Sequence, residues 1–544
     1  MGYKYQNLYQ NLADVAIARP KSVALYEESS KTPYIELKRK VDAMAGYLQG
    51  CGVHFGDKVA MFVQNSSEFI ISYLAITTLG GVAVPINTFL KFEELAYILS
   101  DCKAKILIAS SPLSKELKKV DELALERIIW IGKNQRIKPK QIQNEQDEYG
   151  ESLYLDGAAN MSCEKDVSFD DALACQRSVE ILKQPTLNDL VHIIYTSGTT
   201  GKPKGAMITY KNIISNLHGT TSRFCVRKSD RFLVFLPMFH SFTLTAMVLL
   251  PLYNGASSIL IKSVFPFSNV LKQALLKRAT VFLGIPSIYT AIAKAKIPWY
   301  FRWFNKIRIF VSGAAPLAQQ TIDDFKAKFP RAKLIEGYGL SECSPIVSAN
   351  LFEKQKLLSV GLPLDEYEVK IVDDEMVEVE TGEIGEIIVK GDCVMQGYLG
   401  IKDDTTVING WLRTGDLAKV DEDGFIFIVD RKKDLIISKG INIYPREIEE
   451  VIYKLESVEA CAVIGVKDEH ADEEVVAFIQ PKDDIELNEK SVRAYLKSHL
   501  ANYKLPKTIH IVSELPRNAT GKVLKRVLKE QISKEEIAVS ETSV

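Results

Sequence analysis

The residues with the clearest chemical potential are YTSGTTGKPKG, residues 195–205, which follow a short apolar segment. This stretch combines three glycines, two lysines and four Ser or Thr hydroxyls. Glycines allow consecutive backbone N–H groups to point inward at an anion, and the hydroxyls and ammonium groups add further donors. The spacing differs from the G-x-x-x-x-G-K-[ST] pattern of a Walker A loop. The stretch predicts a phosphate-binding loop, although its composition is equally typical of a flexible surface loop.

The segments around this loop alternate between short apolar strands and amphipathic helices, which is typical of βαβ units with a mostly parallel sheet. The alternation runs from Lys58 to about residue 110 and resumes from residue 190 to about residue 336. Strands are predicted at 58–63, 82–86 and 104–110, and helices at 67–79, 92–101 and 209–218. The polar, weakly periodic residues 133–187 predict a surface excursion.

Beyond residue 356 the pattern changes to short strands joined by tight turns. The strands EVKIVD, GEIIVKG, WLRTGDLAKV and FIFIVD, with a turn at DEDG (421–424), predict a small antiparallel β-subdomain at about 356–430. A helix at 445–455 then opens a mixture of helices and strands. The predicted fold class is α/β, with a large N-terminal domain at 1–432 and a separate small α+β domain at 433–544.

Composition narrows the classes of partner and compartment. The net charge of −1 lacks the excess of positive charge that is typical of nucleic-acid-binding proteins, so small-molecule partners are expected. The 8 cysteines include no C-x-x-C pair, which excludes the usual zinc spacings and favours a reducing cytosol. The N-terminus lacks the apolar core of a signal peptide, and the longest apolar run, Phe242–Tyr253, is too short to span a bilayer. We expect a cytoplasmic protein, at most peripheral on the inner face of the membrane.

Seven further motifs accompany the loop along the chain. They are YLAITTLGGVAVPIN (73–87), LPMFHSF (236–242), SGAAPL (312–317), EGYGLSECSP (336–345), WLRTGD (411–416), VDRKKDLIISKGINIYPREIE (429–449) and PRNATGK (516–522). In order, and over essentially the whole chain, the eight motifs resemble the adenylate-forming superfamily of acyl-CoA synthetases, luciferases and peptide-synthetase adenylation domains. The sequences EGYGLSEC and VDRKKDLI are most similar to those of bacterial fatty-acid–CoA ligases.

The resemblance implies an ATP site. Tyr338 would stack on adenine, and Ser341, where the family usually has Thr, would donate to the α-phosphate. Asp416 and Arg431 would bind the ribose. Glu342, with Thr196, would hold Mg²⁺, which prefers oxygen ligands. The implied ATP-binding residues are Thr196, Ser197, Gly198, Thr199, Thr200, Gly201, Lys202, Lys204, Gly313, Ala314, Ala315, Glu336, Gly337, Tyr338, Gly339, Ser341, Asp416, Ile428, Arg431 and Lys522.

The resemblance also implies the catalytic residues, which are Lys522, Glu342, Ser341 and His240. An ammonium such as that of Lys522 is needed because a carboxylate must attack a phosphate, and the charge between them offsets the repulsion. His240 would position the substrate or gate its pocket. Taken singly, a C-terminal lysine is ordinarily solvated and a lone histidine is ordinarily packed or exposed.

The C-terminal domain would be mobile, since two half-reactions need different groups at one point. Lys433 matches the family's hinge position, where a residue absorbs the φ/ψ change of domain rotation. After rotation, Ser438, Lys439 and Gly440 would face the cleft and bind coenzyme A. The alternative interpretation of the RKK run is a solvated basic turn without a hinge function.

The implied reaction joins a carboxylic acid to coenzyme A through an acyl-adenylate, with ATP and Mg²⁺ as cofactors. No carboxylate occurs in LPMFHSFTLTA (236–246) to meet the ammonium of an amino acid, so a fatty acid is expected. The alternatives are an acyl-carrier-protein ligase, an aryl or short-chain acid ligase, a luciferase-like oxidative enzyme and a non-catalytic binder. Oligomeric state is left open.

Three apolar stretches have two interpretations each. Residues 243–253 and 282–290 fit an alkyl tunnel or ordinary core. The aromatic segment IPWYFRWFNK (297–306) fits buried core or a peripheral membrane contact.

Overall fold

The protein is represented by a computed structural model, which describes most of the chain. The described residues are 3–137, 165–175, 177–197, 202–262, 266–294, 297, 299–313, 315, 317, 319–330, 332–402, 405–438, 441–467, 473–482, 485–517 and 521–532. Much of the predicted surface excursion at 133–187 lies outside these ranges.

Helices and strands alternate through most of these residues. The helices are α1 (Leu8–Ala18), α2 (Tyr34–Gly50), α3 (Ser67–Thr78), α4 (Phe92–Cys102), α5 (Phe169–Ala174), α6 (Tyr210–Arg223), α7 (Ser241–Thr243), α8 (Leu250–Tyr253), α9 (Phe267–Leu276), α10 (Pro286–Lys294), α11 (Trp299–Phe304), α12 (Gln319–Lys328), α13 (Pro445–Ile452) and α14 (Glu489–His499). A π-helical segment, Leu244–Leu249, joins α7 to α8.

The strands are β1 (Val23–Tyr26), β2 (Lys31–Pro33), β3 (Lys58–Phe62), β4 (Val82–Pro85), β5 (Ile106–Ser110), β6 (Arg127–Ile131), β7 (Asp166–Ser168), β8 (Leu190–Ser197), β9 (Pro203–Thr209), β10 (Arg231–Val234), β11 (Ser257–Leu260), β12 (Val281–Gly284), β13 (Ile309–Ser312), β14 (Lys333–Gly339), β15 (Ile346–Ala349), β16 (Leu362–Pro363), β17 (Tyr367–Val372), β18 (Gly385–Gly391), β19 (Val407–Ile408), β20 (Trp411–Val420), β21 (Ile426–Arg431), β22 (Ile436–Ser438), β23 (Ile441–Ile443), β24 (Val458–Lys467), β25 (Glu473–Pro481) and β26 (Thr508–Ile511).

Two large sheets form the N-terminal part. One has the order β16-β15-β14-β13-β12-β10-β11-β1-β2, and the other has the order β7-β6-β5-β3-β4-β8-β9. The central pairs are parallel, and antiparallel pairs occur at the edges, as in β8 with β9 and β14 with β15. The α/β fold class and the predicted alternation are therefore confirmed.

The apolar strands and helices form the buried core of the N-terminal part. Strands such as β5 are buried along their whole length because helices cover both faces of a parallel sheet, which explains their continuous apolar runs. Between the sheets, α3 is buried along most of its length, and it begins where the Ser66 side chain accepts a hydrogen bond of 3.3 Å from the Phe69 N–H.

The predicted β-subdomain is a meander in which β17, β18, β20 and β21 pair antiparallel in sequence. The turn at DEDG joins β20 to β21, and Gly424 adopts the left-handed φ of +81° that this turn needs. Opposite that turn, β20 and β21 bring Asp416 into register with Arg431.

The C-terminal part has its own core and its own sheet, β24-β25-β26. Its buried side chains, such as Ile448, Val463 and Leu496, cluster separately from those of the N-terminal part. A second small cluster lies on the other face of the sheet and includes Leu528. These separate cores support the predicted domain boundary at 432/433, which remains a prediction.

The apolar run at 242–253 forms α7, the π-helical segment and α8, and it is buried in the large core. No described helix has both the length and the apolar character needed to cross a bilayer. Element ends differ from prediction by a few residues, as expected where helices fray. For example, α13 ends at Ile452 instead of residue 455, and α6 continues to Arg223.

Candidate active site

A cavity of about 840 Å³ opens where the carboxyl ends of the central strands face the β-subdomain and the C-terminal domain. Its wall includes the ends of β8, β13 and β14, the 239–242 turn, β20 and the segment around Lys522. In open α/β sheets ligands bind in the crevice at the carboxyl ends of strands, so this is the expected location for a site. The predicted residues that line it are Thr196, Lys204, His240, Gly313, Gly337, Tyr338, Gly339, Ser341, Glu342, Asp416, Arg431, Lys433 and Lys522.

The predicted phosphate loop connects β8 to β9. These strands pair antiparallel, with Thr196 opposite Lys204, so both ends of the loop are held at the cavity. The Lys204 ammonium lies 5.2 Å from the centre of the Tyr398 ring, a distance typical of a cation–π contact. Gly198, Thr199, Thr200 and Gly201 lie outside the described residues, as does the Ser197 side chain.

The end of β14 supplies Gly337, Tyr338 and Gly339, and a short 3-10 turn adds Ser341 and Glu342. A Cβ on Gly339 would lie 1.8 Å from the Pro345 carbonyl oxygen, so only glycine allows this close return of the chain. The Ser341 hydroxyl is 2.8 Å from that of Ser241. This hydrogen bond ties the nucleotide motif to the turn that carries His240.

The Glu342 carboxylate is the best candidate for a Mg²⁺ ligand. Its Oε1 accepts hydrogen bonds from the Thr196 hydroxyl at 3.2 Å and the Tyr398 hydroxyl at 2.8 Å. Mg²⁺ is usually held by one or two carboxylates plus phosphate and water oxygens, so one carboxylate beside a hydroxyl fits it. No cluster of three or more His, Cys, Asp or Glu suited to a metal occurs among the residues described.

Asp416 also lines the cavity, and its side chain is buried. It accepts a hydrogen bond of 2.7 Å from the Tyr338 hydroxyl, and its second oxygen is 3.2 Å from the Arg431 Nε. The three predicted nucleotide residues therefore form one connected group, with Asp416 between an aromatic ring and a guanidinium.

Lys522 reaches this group from the C-terminal domain. Burial, together with the nearby Arg431 guanidinium, lowers the pKa of Lys522 to about 8, while Asp416 partly opposes the shift. The preceding Gly521 has φ +78°, and a Cβ there would meet Ile285 at 3.1 Å. The loop thus packs closely against the N-terminal domain and directs Lys522 into the cavity.

His240 lies in the turn before α7, where its Nδ1 accepts a hydrogen bond of 3.3 Å from the Phe242 N–H. Burial lowers the pKa of His240 to about 4, so the ring is neutral near pH 7. Asn65 fixes the segment before this turn, because its side chain bonds both the Leu236 carbonyl and the Met238 N–H, each at 2.8 Å. A neutral, fixed imidazole suits the predicted positioning role.

Several predicted ATP-binding residues lie away from the cavity wall. The Lys202 ammonium lies 5.6 Å from the Tyr97 ring centre. Glu336 does not line the cavity, and burial raises its pKa to about 7. Ala315 and Ile428 also do not line the cavity as described, nor does Ser438 on β22, predicted for coenzyme A. Ala314, Lys439 and Gly440 lie outside the described residues. Their roles remain predictions.

Sequence reasoning did not identify some residues that complete the site. Tyr398 bonds Glu342 because residues 395–399 run beside β9, with the Leu399 N–H donating to the Gly205 carbonyl at 2.8 Å. Buried Glu386 also lines the cavity, and it is paired with Arg413 at 2.6 Å and Lys432 at 3.2 Å. Arg413 belongs to the WLRTGD motif, so the motif could have indicated it as a site residue. Tyr398 lies outside all eight motifs.

Comparison with known proteins agrees with this geometry. A model of the family described as AMP-binding enzyme matches residues 12–399, and the AMP-binding enzyme C-terminal domain matches residues 447–522. The chain belongs to the AMP-binding enzyme family. Its membership of the adenylate-forming superfamily, which the eight motifs indicated, is thereby confirmed.

Relatives within this family match the chain from end to end. A long-chain-fatty-acid–CoA ligase of Bacillus subtilis (strain 168) is 33% identical over 539 residues, covering 97% of this chain and 94% of the relative. A feruloyl-CoA synthase of Amycolatopsis sp is 32% identical over 514 residues, covering 93% of this chain and 95% of the relative. These two proteins are named for CoA thioesters of different acids.

Solved structures of the family share the fold. The anthranilate CoA ligase AuaEII, in complex with anthranoyl-AMP, gives a TM-score of 0.84 at 28% identity, covering 98% of both chains. ATP-bound MatB from Rhodopseudomonas palustris gives a TM-score of 0.84 at 29% identity, covering 96% of this chain and 98% of that one. AMP-binding CoA ligases use ATP, Mg²⁺ and CoA, which are the cofactors expected from the sequence.

Proposed function

We propose that this chain is an AMP-forming acyl-CoA ligase that activates a fatty acid and transfers the acyl group to coenzyme A. The observation that carries the proposal is the state of the three carboxylates on the described cavity wall. Glu342, Glu386 and Asp416 each have hydrogen-bond or ion-pair partners within the protein. An amino-acid substrate would lack a carboxylate for its ammonium, whereas an acid with an apolar tail needs none.

The wall on the His240 side supports an apolar acyl group. It includes the Phe239 and Phe242 side chains, Val311 at the end of β13 and Ile346 at the start of β15. The stretches 243–253 and 282–290, which the sequence offered as tunnel or core, contribute no described residue to this wall. Their buried members, such as Met247 and Phe282, belong to the core.

In the first half-reaction a carboxylate attacks the α-phosphate of ATP, expelling pyrophosphate and leaving acyl-AMP. The Lys522 ammonium, protonated below a pKa of about 8, lies where it can contact both anions and reduce their repulsion. Glu342 and Thr196 would hold Mg²⁺, which would neutralise phosphate charge when bound. Tyr338 and Asp416 hold the nucleoside, and the neutral His240 orients the acid.

In the second half-reaction the thiol of coenzyme A attacks the acyl carbonyl and AMP leaves. Lys522 lines the cleft in this structure, and we infer that the C-terminal domain rotates to admit the thiol. Lys433 lies in the 3-10 turn Lys432–Asp434, between the end of β21 and the core of the C-terminal domain. That position suits the hinge predicted from the sequence.

The proposal is tested by a panel of acids from C2 to C18, with aromatic acids included, assayed for AMP release with coenzyme A or acyl carrier protein as acceptor. Hydroxylamine is added in parallel to trap the mixed anhydride as a hydroxamate. We expect kcat/KM to rise with aliphatic chain length and coenzyme A to be the preferred acceptor. A preference for an aromatic acid, or for the carrier protein, would replace the fatty-acid–CoA assignment with that alternative.

A further inference from the structure

The charge of this protein is distributed unevenly along the chain. Between Asp230 and Asp323 the sequence contains ten Lys or Arg residues and no Asp or Glu. The whole chain has 68 basic and 69 acidic residues. The net charge of −1 therefore gives no sign of this long segment, in which every charged residue is Lys or Arg. This segment forms β10 to β13 and the helices α9, α10 and α11, and is therefore one continuous part of the fold.

Some of these basic groups have structural roles. Arg308 forms an ion pair of 2.6 Å with Asp230, Arg231 stacks 4.9 Å from the Tyr26 ring centre, and the Lys277 ammonium donates to the Glu27 carbonyl. Four others, Lys262, Lys272, Arg278 and Lys306, are exposed, and none forms an ion pair with a residue that the structure describes. Their positive charge is available to a partner.

Large apolar side chains are exposed in the same region. On α11, Phe301 is buried and packs edge-on against Phe329, with ring centres 6.3 Å apart. Trp303 and Phe304 on the same helix are 68% and 62% exposed, and Leu276 at the end of the neighbouring α9 is 65% exposed. Exposed aromatic and aliphatic side chains beside exposed lysines are typical of surfaces that lie in a membrane interface.

We propose that the surface formed by Leu276, Trp303, Phe304, Lys272, Arg278 and Lys306, here called the basic aromatic surface, binds the anionic headgroup region of a phospholipid membrane. The lysine and arginine side chains contact lipid phosphates, and the apolar side chains enter the boundary between headgroups and acyl chains. An acidic protein partner would satisfy the charges but would leave three large apolar side chains without a matching environment. The combination therefore favours a lipid surface.

The position of the basic aromatic surface relates it to the proposed function. β13 follows α11 directly, and its carboxyl end, Ser312 with Gly313, lines the acyl-adenylate cavity. If the substrate is a fatty acid, which is the proposal above, membrane binding would bring that cavity close to the bilayer in which fatty acids partition. Membrane binding itself does not depend on which acid the enzyme uses.

Vesicle flotation of the full-length protein tests the proposal without any substrate. Vesicles of phosphatidylcholine are compared with vesicles that also contain phosphatidylglycerol, each at low and at high salt. We expect binding to the anionic vesicles, weakened by salt because exposed charges are screened. The double variants Lys272→Glu/Lys306→Glu and Trp303→Ser/Phe304→Ser should each reduce the bound fraction, the first by about tenfold or more, given the contribution of each basic residue near an anionic surface.

Matched controls change exposed lysines and exposed apolar side chains elsewhere on the protein. Lys118→Glu/Lys119→Glu alters two exposed lysines that follow β5 of the other large sheet. Ile17→Ser/Leu182→Ser removes two apolar side chains that are 77% and 79% exposed. Both controls should float like the wild type, and all four variants should keep wild-type AMP release with a soluble short-chain acid. Equal loss of flotation in variants and controls would overturn the proposal. The proposal would also be overturned if the wild-type protein did not bind anionic vesicles. That outcome includes the case in which Lys272 and Lys306 bind an acidic carrier protein instead of lipid.

Discussion

At the scale of single residues, the site depends on contacts that fix charged groups before substrates arrive. Tyr398 illustrates this, since its hydroxyl donates to Glu342 at 2.8 Å while its ring faces the Lys204 ammonium at 5.2 Å. One side chain thus links the proposed Mg²⁺ ligand to the second lysine of the phosphate loop. Groups that orient a metal ligand commonly change metal affinity when removed.

Tyr398→Phe should therefore raise the Mg²⁺ concentration needed for half-maximal ATP–pyrophosphate exchange by roughly tenfold, because Glu342 loses one of its two donors. Tyr398→Ala should raise the KM for ATP as well, since the ring beside Lys204 is also lost. Tyr503→Phe, at an exposed tyrosine of the C-terminal domain, is the control. An unchanged Mg²⁺ requirement in Tyr398→Phe would show that this contact does not position the ligand.

The pH dependence of adenylation should follow Lys522. Its pKa is lowered to about 8, and the protonated form is the one that reduces repulsion between the two anions. Raising the pH through this value removes the charge, so kcat/KM for ATP in the exchange assay should fall above about pH 8. In kcat the fall should come at higher pH, because bound phosphates favour the ammonium.

Lys522→Arg provides the control for that profile. A guanidinium stays charged throughout the range, so the variant should be slower but should not show the alkaline fall. An alkaline fall of the same shape in Lys522→Arg would mean that another group titrates. A flat wild-type profile up to pH 10 would mean that Lys522 keeps the ordinary lysine pKa of about 10.4, which would contradict the lowered value.

Which site residues were predictable depends on where their contacts come from. Lys522, Asp416 and Glu342 stand in continuous motifs, and the structure brings all three to one cavity. Tyr398 carries no local signal, because its role arises only when residues 395–399 run beside β9, far away in sequence. The hydrogen bond between Tyr338 and Asp416 has the same character, since it joins two motifs on different sheets.

At the scale of elements, hydrophobic periodicity was sufficient wherever a helix or strand has a regular buried pattern. The strands β3, β4 and β5 lie within a residue or two of their predicted bounds. The Leu244–Leu249 segment was different, because every one of its side chains is buried and no polar face marks its period. The sequence could show that this run was apolar and too short for a bilayer, but it could not show a π-helical turn.

At the scale of the whole molecule, two parts with separate cores both line the candidate active-site cavity. The Arg446 N–H donates to the Asp430 carboxylate at 2.9 Å, and the Arg446 guanidinium donates to the Ile428 carbonyl. These polar contacts can exchange for water, so they allow rotation more readily than an apolar interface would. Composition alone concealed the other whole-molecule feature, because the basic segment between Asp230 and Asp323 is balanced by acidic residues elsewhere.

The central claim is that Lys522 serves the first half-reaction and then leaves the cleft by rotation about Lys433. The most direct measurement assays both half-reactions separately in Lys522→Ala and Lys433→Pro. Lys522→Ala should lose acid-dependent ATP–pyrophosphate exchange by roughly 10²–10³-fold and still form thioester from supplied acyl-AMP and coenzyme A. Lys433→Pro should keep the exchange and lose the thioester step. Equal loss of both half-reactions in Lys522→Ala, or an unaffected thioester step in Lys433→Pro, would contradict this account.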